Sequence, residues 1–235
     1  MINHLVRLEI TVTNITALHI GSGREGEISD DGVVTTPRGE PFLPGSSLKG
    51  KLRATAERLA GHLNLDACLL DSTYSDVECC NCQTWARQNQ TTLDTIRSEK
   101  NSQLKLEKIA EVTCDVCRVF GSPLQASRIT ITDGMVLEWE KTVQVRDGVV
   151  IDRDAETAVP RLKFNYDVIP AGALFQFTVE LHDLDDDELA LIGAALLDWS
   201  SGFTLGGHIS RGLGHMRIEE VKAEQINLSD PNDRL

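Results

Sequence analysis

Hydrophobic and polar positions alternate from residue 4 to residue 13, with Val6, Leu8, Ile10 and Val12 on one side and Leu5, Arg7, Glu9 and Thr11 on the other. That period of two predicts a strand with one buried face. Leu18-His19-Ile20 predicts a short neighbour running into the glycine turn Gly21-Ser22-Gly23. The period changes after Pro44. Leu48, Leu52, Ala56 and Leu59 recur at helical spacing, which predicts a helix to about Leu63 with Ser46 or Ser47 as its N-cap. Residues 64–113 are polar, cysteine-bearing and partly helical, and read as an insertion. Arg128 to Thr132 is β-like, and Val143 to Ile151 predicts a hairpin turning at Asp147-Gly148. Phe175 to Leu181 alternates strictly. A second helix follows, with Asp185 and Glu188 placed as a capping box and Leu189, Ile192, Leu196 and Trp199 as its buried stripe. A last strand runs from His215 to about Val221, and the tail from Asn227 reads as frayed. Two long helices among several strands predict one α+β domain over residues 1–235. The order fits a ferredoxin-like core carrying long insertions.

Composition narrows the function. Hydrophobic residues at 41% and charged residues at 25% suit a folded globular chain. No apolar run approaches the roughly 18 residues of a membrane span, and Met1 to Arg7 lacks a secretory pattern, so a cytoplasmic protein without a membrane partner is expected. A net charge of −13 argues against nonspecific nucleic-acid binding. The charge is unevenly spread. Residues 183–235 hold 11 acids and 4 bases, whereas residues 37–53 hold 4 bases and 1 acid. A basic surface on an acidic body is consistent with that pattern.

Six cysteines in a cytoplasmic chain point to metal rather than disulfides. Cys79-x-x-Cys82 and Cys114-x-x-Cys117 form two knuckles 31 residues apart. Four thiolates satisfy tetrahedral Zn2+ and leave no open position, so the site would be structural. Cys80 can stand in for Cys79, and His62 or Cys68 can replace one thiolate.

The segment Pro44-Gly45-Ser46-Ser47-Leu48-Lys49-Gly50-Lys51-Leu52-Arg53 opposes its own helix. Lys49, Lys51 and Arg53 crowd cations at the end where the dipole is already positive, and Gly50 costs about 1 kcal/mol against Ala. Free N–H groups, hydroxyls and cations at one helix end predict an anion site. The spacing approaches a nucleotide-binding P-loop, but Leu52 stands where a hydroxyl would hold magnesium. Phosphates of a polymer fit better than a nucleoside triphosphate. Gly206 to Gly214, with Ser210 and Arg211, reads as a second place where backbone comes close to a ligand.

Together these segments resemble the RAMP (repeat-associated mysterious protein) superfamily. The likeness is carried by Ile20 to Gly23, Leu43 to Arg53, Phe120-Gly121-Ser122-Pro123 with Arg128 to Ile131, Ala171 to Phe175, and Gly206 to Gly214. It is nearest to the repeating backbone subunit of type III CRISPR effector complexes. The resemblance implies a ferredoxin-like, RRM-type core and a protruding β-hairpin thumb over 135–165, beside the zinc-bearing insertion that the cysteines place over 64–118. It also implies binding to CRISPR RNA and to target RNA, with other RAMP subunits alongside. Carried onto this chain, Ser46, Ser47, Lys49, Lys51 and Arg53 contact guide phosphates, with Arg128, Lys163 and Arg211 as further candidates. The thumb would wedge between guide and target. An Asp in the loop before Pro44 would support target cleavage with Mg2+ or another divalent metal, and Asp31 or Asp30 fills that place. Two alternatives stand beside this reading: an inactive RNA-binding scaffold, and a transcript-processing ribonuclease using His208 or His215 as general acid–base groups.

Overall fold

The computed structural model describes residues 4–26, 29–68, 77 and 79–227. Of the tail expected to fray from Asn227, Asn227 itself ends the last strand, and residues 228–235 lie outside the described residues, as do Met1 to Asn3. An antiparallel sheet is built on β1 (His4–Asn14), which pairs on one edge with β7 (Leu174–His182) and on the other with β9 (His215–Asn227). Beyond β7 lie β3 (Ile129–Ile131) and β4 (Gly134–Glu138), and β2 (Phe42–Leu43) extends the sheet from β4. On the far side β8 (Phe203–Thr204) pairs with β9.

The alternation along β1 and β7 sorts the two faces. Ile10, Val12, Phe175, Phe177 and Val179 are buried in one cluster with Leu48, Leu52 and Ala56 of α1 (Gly45–Ala60) and Ile192, Ala195 and Trp199 of α6 (Asp186–Ser200). The two helices touch directly, where Trp199 Nε1 donates to Thr55 Oγ1 at 3.0 Å. The opposite face carries Arg7, Glu9, Gln176 and Glu180, with Arg7 paired to Glu180 at 3.0 Å. One apolar and one solvated face is the ordinary division of an antiparallel sheet. The capping box at Asp185 and Glu188 is present. The buried stripe of α6 centres on Leu191, Ile192, Ala195 and Trp199, with Leu189 and Leu196 at its margins.

The described residues between α1 and β3 include four short α-helices: α2 (Gln83–Gln88), α3 (Gln90–Ser98), α4 (Ser102–Glu111) and α5 (Asp115–Phe120). The last packs against both long helices.

A separate two-stranded ribbon is formed by β5 (Gln144–Ile151) and β6 (Ala158–Val168). Its turn is not at Asp147-Gly148, as the dipeptide predicts. Those residues lie mid-strand, opposite Asn165 and Phe164, and the chain reverses at 152–157. There the Asp152 carboxylate accepts from the Asp154 and Ala155 amides at 2.8 and 3.0 Å. Gly148 has a packing reason instead: a Cβ there would collide with the Phe164 ring. The base of the ribbon joins the body through Leu18 and Ile169, whose backbones exchange hydrogen bonds of 2.9 and 2.8 Å.

Candidate functional site

Three segments that are distant in sequence meet beside the root of the ribbon: residues 18–34, the end of β6, and the glycine loop 206–214. His19 is buried between them. Its Nδ1 lies 2.7 Å from the Asp167 carbonyl and its Nε2 lies 3.2 Å from Asp31 Oδ2. A carbonyl only accepts, so Nδ1 carries the proton, and the ring is thereby oriented with Nε2 facing Asp31. The Asp31 backbone is held as well, its carbonyl accepting from the Asp167 amide at 2.9 Å. Nearly half of the Asp31 side chain, 46%, stays open to solvent. The result is a positioned but accessible carboxylate.

The neighbouring acid has another task. The Asp30 amide donates to Asn165 Oδ1 at 2.7 Å, and Asp30 Oδ2 accepts from the Asn165 amide at 2.8 Å. This reciprocal pair fastens the loop to β6.

Space at the carboxylate is kept by Gly21. A Cβ there would stand 3.2 Å from Asp31 Oδ1 and 3.3 Å from His19 Nε2. Carboxylate oxygen and imidazole nitrogen are two groups that could serve as ligands to a divalent cation.

His208 adopts a left-handed backbone conformation at φ 56° and stacks on Tyr166 with centroids 4.3 Å apart. Its ring lies 5.2 Å from His19. Burial, then the neighbouring His19 and Arg211, lower its pKa, against the opposing pull of Asp31. Arg211 is exposed and sits over the Phe164 ring at 5.7 Å. Glycine at 206 serves the protein itself rather than a ligand. A Cβ at Gly206 would strike the His19 carbonyl, which also accepts from the Gly207 amide at 2.8 Å. His19 and Tyr166 escaped the sequence reading. The one signal was the position of His19 directly before Ile20-Gly21-Ser22-Gly23.

The helix motif is divided rather than convergent. Two residues along a helix turn through about 200°, so Lys49 and Arg53 share a face that Lys51 does not. Lys49 Nζ donates to Ser127 Oγ at 2.7 Å and to the Ile129 carbonyl at 3.3 Å, and burial, then Arg53, lower its pKa. Arg53 Nε donates to Glu57 Oε1 at 2.8 Å and Nη2 to Cys117 Sγ at 3.2 Å. Lys51 turns the other way, to Thr204 Oγ1 at 3.3 Å, in a cleft of about 430 Å³ that also holds Arg58 and His215.

The N-cap is Pro44, not Ser46 or Ser47, which lie inside the first turn without a capping bond. The Gly45 amide already donates to Asp133 Oδ1 at 2.7 Å, so an acid of this chain occupies part of the expected anion site.

Arg128 is a fold residue. Nε donates to the Arg118 carbonyl at 3.1 Å, Nη1 to the Asp183 carbonyl at 2.9 Å, and Nη2 to the buried Glu188 carboxylate. Lys163 stands exposed on the ribbon, 3.2 Å from Asp147.

The sulfurs of Cys68, Cys79, Cys114 and Cys117 lie within 4.8 Å of one another, all buried. Thiolates about 2.3 Å from a tetrahedral zinc stand just under 4 Å apart, so the group fits that ion. Cys82, expected from the Cys-x-x-Cys spacing, is outside it, and Cys68 takes the fourth place. The reason is local: the Cys82 amide closes a turn onto the Cys79 carbonyl at 2.9 Å, and Cys82 caps α2. Mutual hydrogen bonds, led by the one between Cys114 and Cys117, push Cys117 up and Cys114 down. A cation at the centre is what allows four such crowded thiols to ionise together.

Among the described residues no helix is long and apolar enough to cross a membrane. Comparison with known proteins agrees with the motif reading. A family model described as the RAMP superfamily matches residues 11–217. A curated relative from Methanothermobacter thermautotrophicus, named CRISPR system Cms endoribonuclease Csm3, is 27% identical over 259 residues, covering 95% of this chain and 86% of its own length. The protein of the same name from Methanocaldococcus jannaschii is 25% identical over 235 residues, covering 92% of this chain and 79% of its own.

Proposed function

The chain belongs to the RAMP superfamily, and on that premise we propose that it is a guide-RNA-binding backbone subunit of a type III CRISPR complex that cleaves base-paired target RNA at Asp31. The observation that carries the chemistry is the Asp31 carboxylate, which faces His19 Nε2 at 3.2 Å from a backbone pinned to Asp167 and is yet 46% exposed. The names of both relatives, each an endoribonuclease, support the reaction class. The strand order β9-β1-β7-β4, with α1 and α6 in the two crossovers, supports a ferredoxin-like core.

In this reading Asp31 and His19 Nε2 hold a divalent metal, Mg2+ or Mn2+, in the space left by Gly21. When bound, that ion supplies charge stabilisation at the scissile phosphate. The chain's own part is positioning. The Asp167 carbonyl turns His19 so that Nε2 faces Asp31, the Asp167 amide holds the Asp31 carbonyl, and the Asp30–Asn165 pair keeps the loop against β6. The ribbon keeps the exposed apolar residues Val149, Val150, Ile151 and Leu162 for RNA or a neighbouring subunit. Guide phosphates are left to Ser46, Ser47, Lys51, Lys163 and Arg211, because Lys49, Arg53 and Arg128 each bind two or more partners within the fold. A structural Zn2+ at Cys68, Cys79, Cys114 and Cys117 anchors the helical insertion.

The proximity of His19 to His208 favours one competing reading, metal-free acid–base cleavage by histidine. Reconstituted complexes separate them. Asp31→Asn is expected to slow target cleavage at least about 100-fold with assembly intact, and chelation of divalent metal to do the same. Cleavage at the wild-type rate by assembled Asp31→Asn would sink the proposal. Cleavage that survives chelation would favour the histidines.

A further inference from the structure

We propose that Arg53 is the charge partner of the four-cysteine metal centre and ties that centre to α1. This rests on the reading that a divalent metal occupies the cysteine group. Two thiolates beyond neutrality surround such an ion, giving a buried net charge of about −2. Charge buried away from water is retained only where donors or counter-charges face it. The Cys68 amide supplies one donor, to Cys114 Sγ at 3.3 Å. Arg53 supplies the cation, with Nη2 at 3.2 Å from Cys117 Sγ.

The guanidinium is held in that direction from behind. Its Nε donates to Glu57 Oε1 at 2.8 Å, one helical turn further along α1. The side chain is 23% exposed and packs in the joint where α5 meets α1. A lysine could not bridge Glu57 and Cys117 with the same planar fork. Glu57, Arg53, Cys117 and the metal thus form one polar strut. It connects the helix that bears Ser46 to Arg53 with the insertion that carries the cysteines. The last cation of the motif is therefore a structural strut to the metal centre and not a phosphate contact.

The test uses the full chain, purified under reducing conditions, in wild-type, Arg53→Leu, Arg53→Lys and Cys82→Ser forms. Zinc is measured by elemental analysis, and its release is followed with a colorimetric chelator. Wild type and Cys82→Ser should hold about one zinc per chain and release it slowly. Arg53→Leu should lose about 10- to 100-fold in zinc affinity, the usual effect of removing an outer partner of a metal ligand. Arg53→Lys should fall between. If Arg53→Leu does not fold, Arg53→Lys is decided alone by faster release than wild type. Wild-type release rates in the Arg53 variants would overturn the proposal. So would a guide-RNA salt slope reduced by about 0.7 in zinc-replete Arg53→Leu complexes, since that is the loss of one phosphate contact. A folded wild-type chain that takes up no zinc would instead remove the metal reading itself.

Discussion

Gly21 is exposed, and its missing side chain leaves open a space that faces both Asp31 and His19. Its φ is not in the left-handed region, so alanine is allowed by the backbone. The added Cβ would stand 3.2 Å from Asp31 Oδ1 and 3.3 Å from His19 Nε2, where a cation or a phosphate oxygen would have to come. Displacements of about 1 Å in a reacting group can cost about 100-fold in rate. Gly21→Ala should therefore slow single-turnover target cleavage by about 10- to 100-fold while melting temperature and assembly stay at wild-type values. Unchanged cleavage would mean that the reacting phosphate does not approach from that side. At this scale the acids were legible and their division of labour was not. Asp30 and Asp31 are adjacent, and what separates them is Asn165 and His19, whose own anchor is a carbonyl 148 residues away. No local pattern encodes such a distance.

Helix α1 carries an exposed glycine at its sixth position, and a Cβ built there meets nothing within 4 Å. Intrinsic propensity then decides the outcome on the isolated chain. Gly50→Ala should stabilise the fold by about 0.5–1 kcal/mol, raising the melting temperature by a few degrees. If guide RNA lies against this turn, the same methyl should weaken guide binding, which filter binding of the reconstituted complex would detect. Stabilisation without loss of affinity would place the RNA elsewhere. The apolar stripe of α1 was readable because a period of 3.6 needs only local counting. The expected convergence of its cations fails by the same local geometry, because residues two apart point to opposite sides of a helix. The hairpin failed for a different reason. Asp147-Gly148 is a strong turn dipeptide, yet the cross-strand Phe164 ring claims the space above Gly148 and holds it in the strand. The cysteine group follows the same rule: spacing proposed Cys82, and tertiary placement delivered Cys68.

The molecule as a whole is assembled around joints that cross its sequence. Arg128 is one of them. It precedes β3, and its guanidinium reaches the end of α5 through the Arg118 carbonyl, the turn after β7 through the Asp183 carbonyl, and the start of α6 through Glu188. Its backbone adds two bonds, to the Val119 carbonyl and from the His182 amide, both 2.9 Å. Glu188 is 4% exposed and also completes the capping box, accepting from the Asp185 amide at 3.0 Å. Removing one partner of a buried ion pair leaves the other charge uncompensated, at a cost of about 3–5 kcal/mol. Arg128→Met should therefore lower the unfolding free energy by about that amount in urea titrations. Arg128→Met combined with Glu188→Gln should recover part of it, because the glutamine removes the stranded charge and can still cap the helix. The guide-RNA salt slope of Arg128→Met complexes should equal that of wild type, since no phosphate contact is lost. A stable Arg128→Met chain with a reduced salt slope would return Arg128 to the RNA surface.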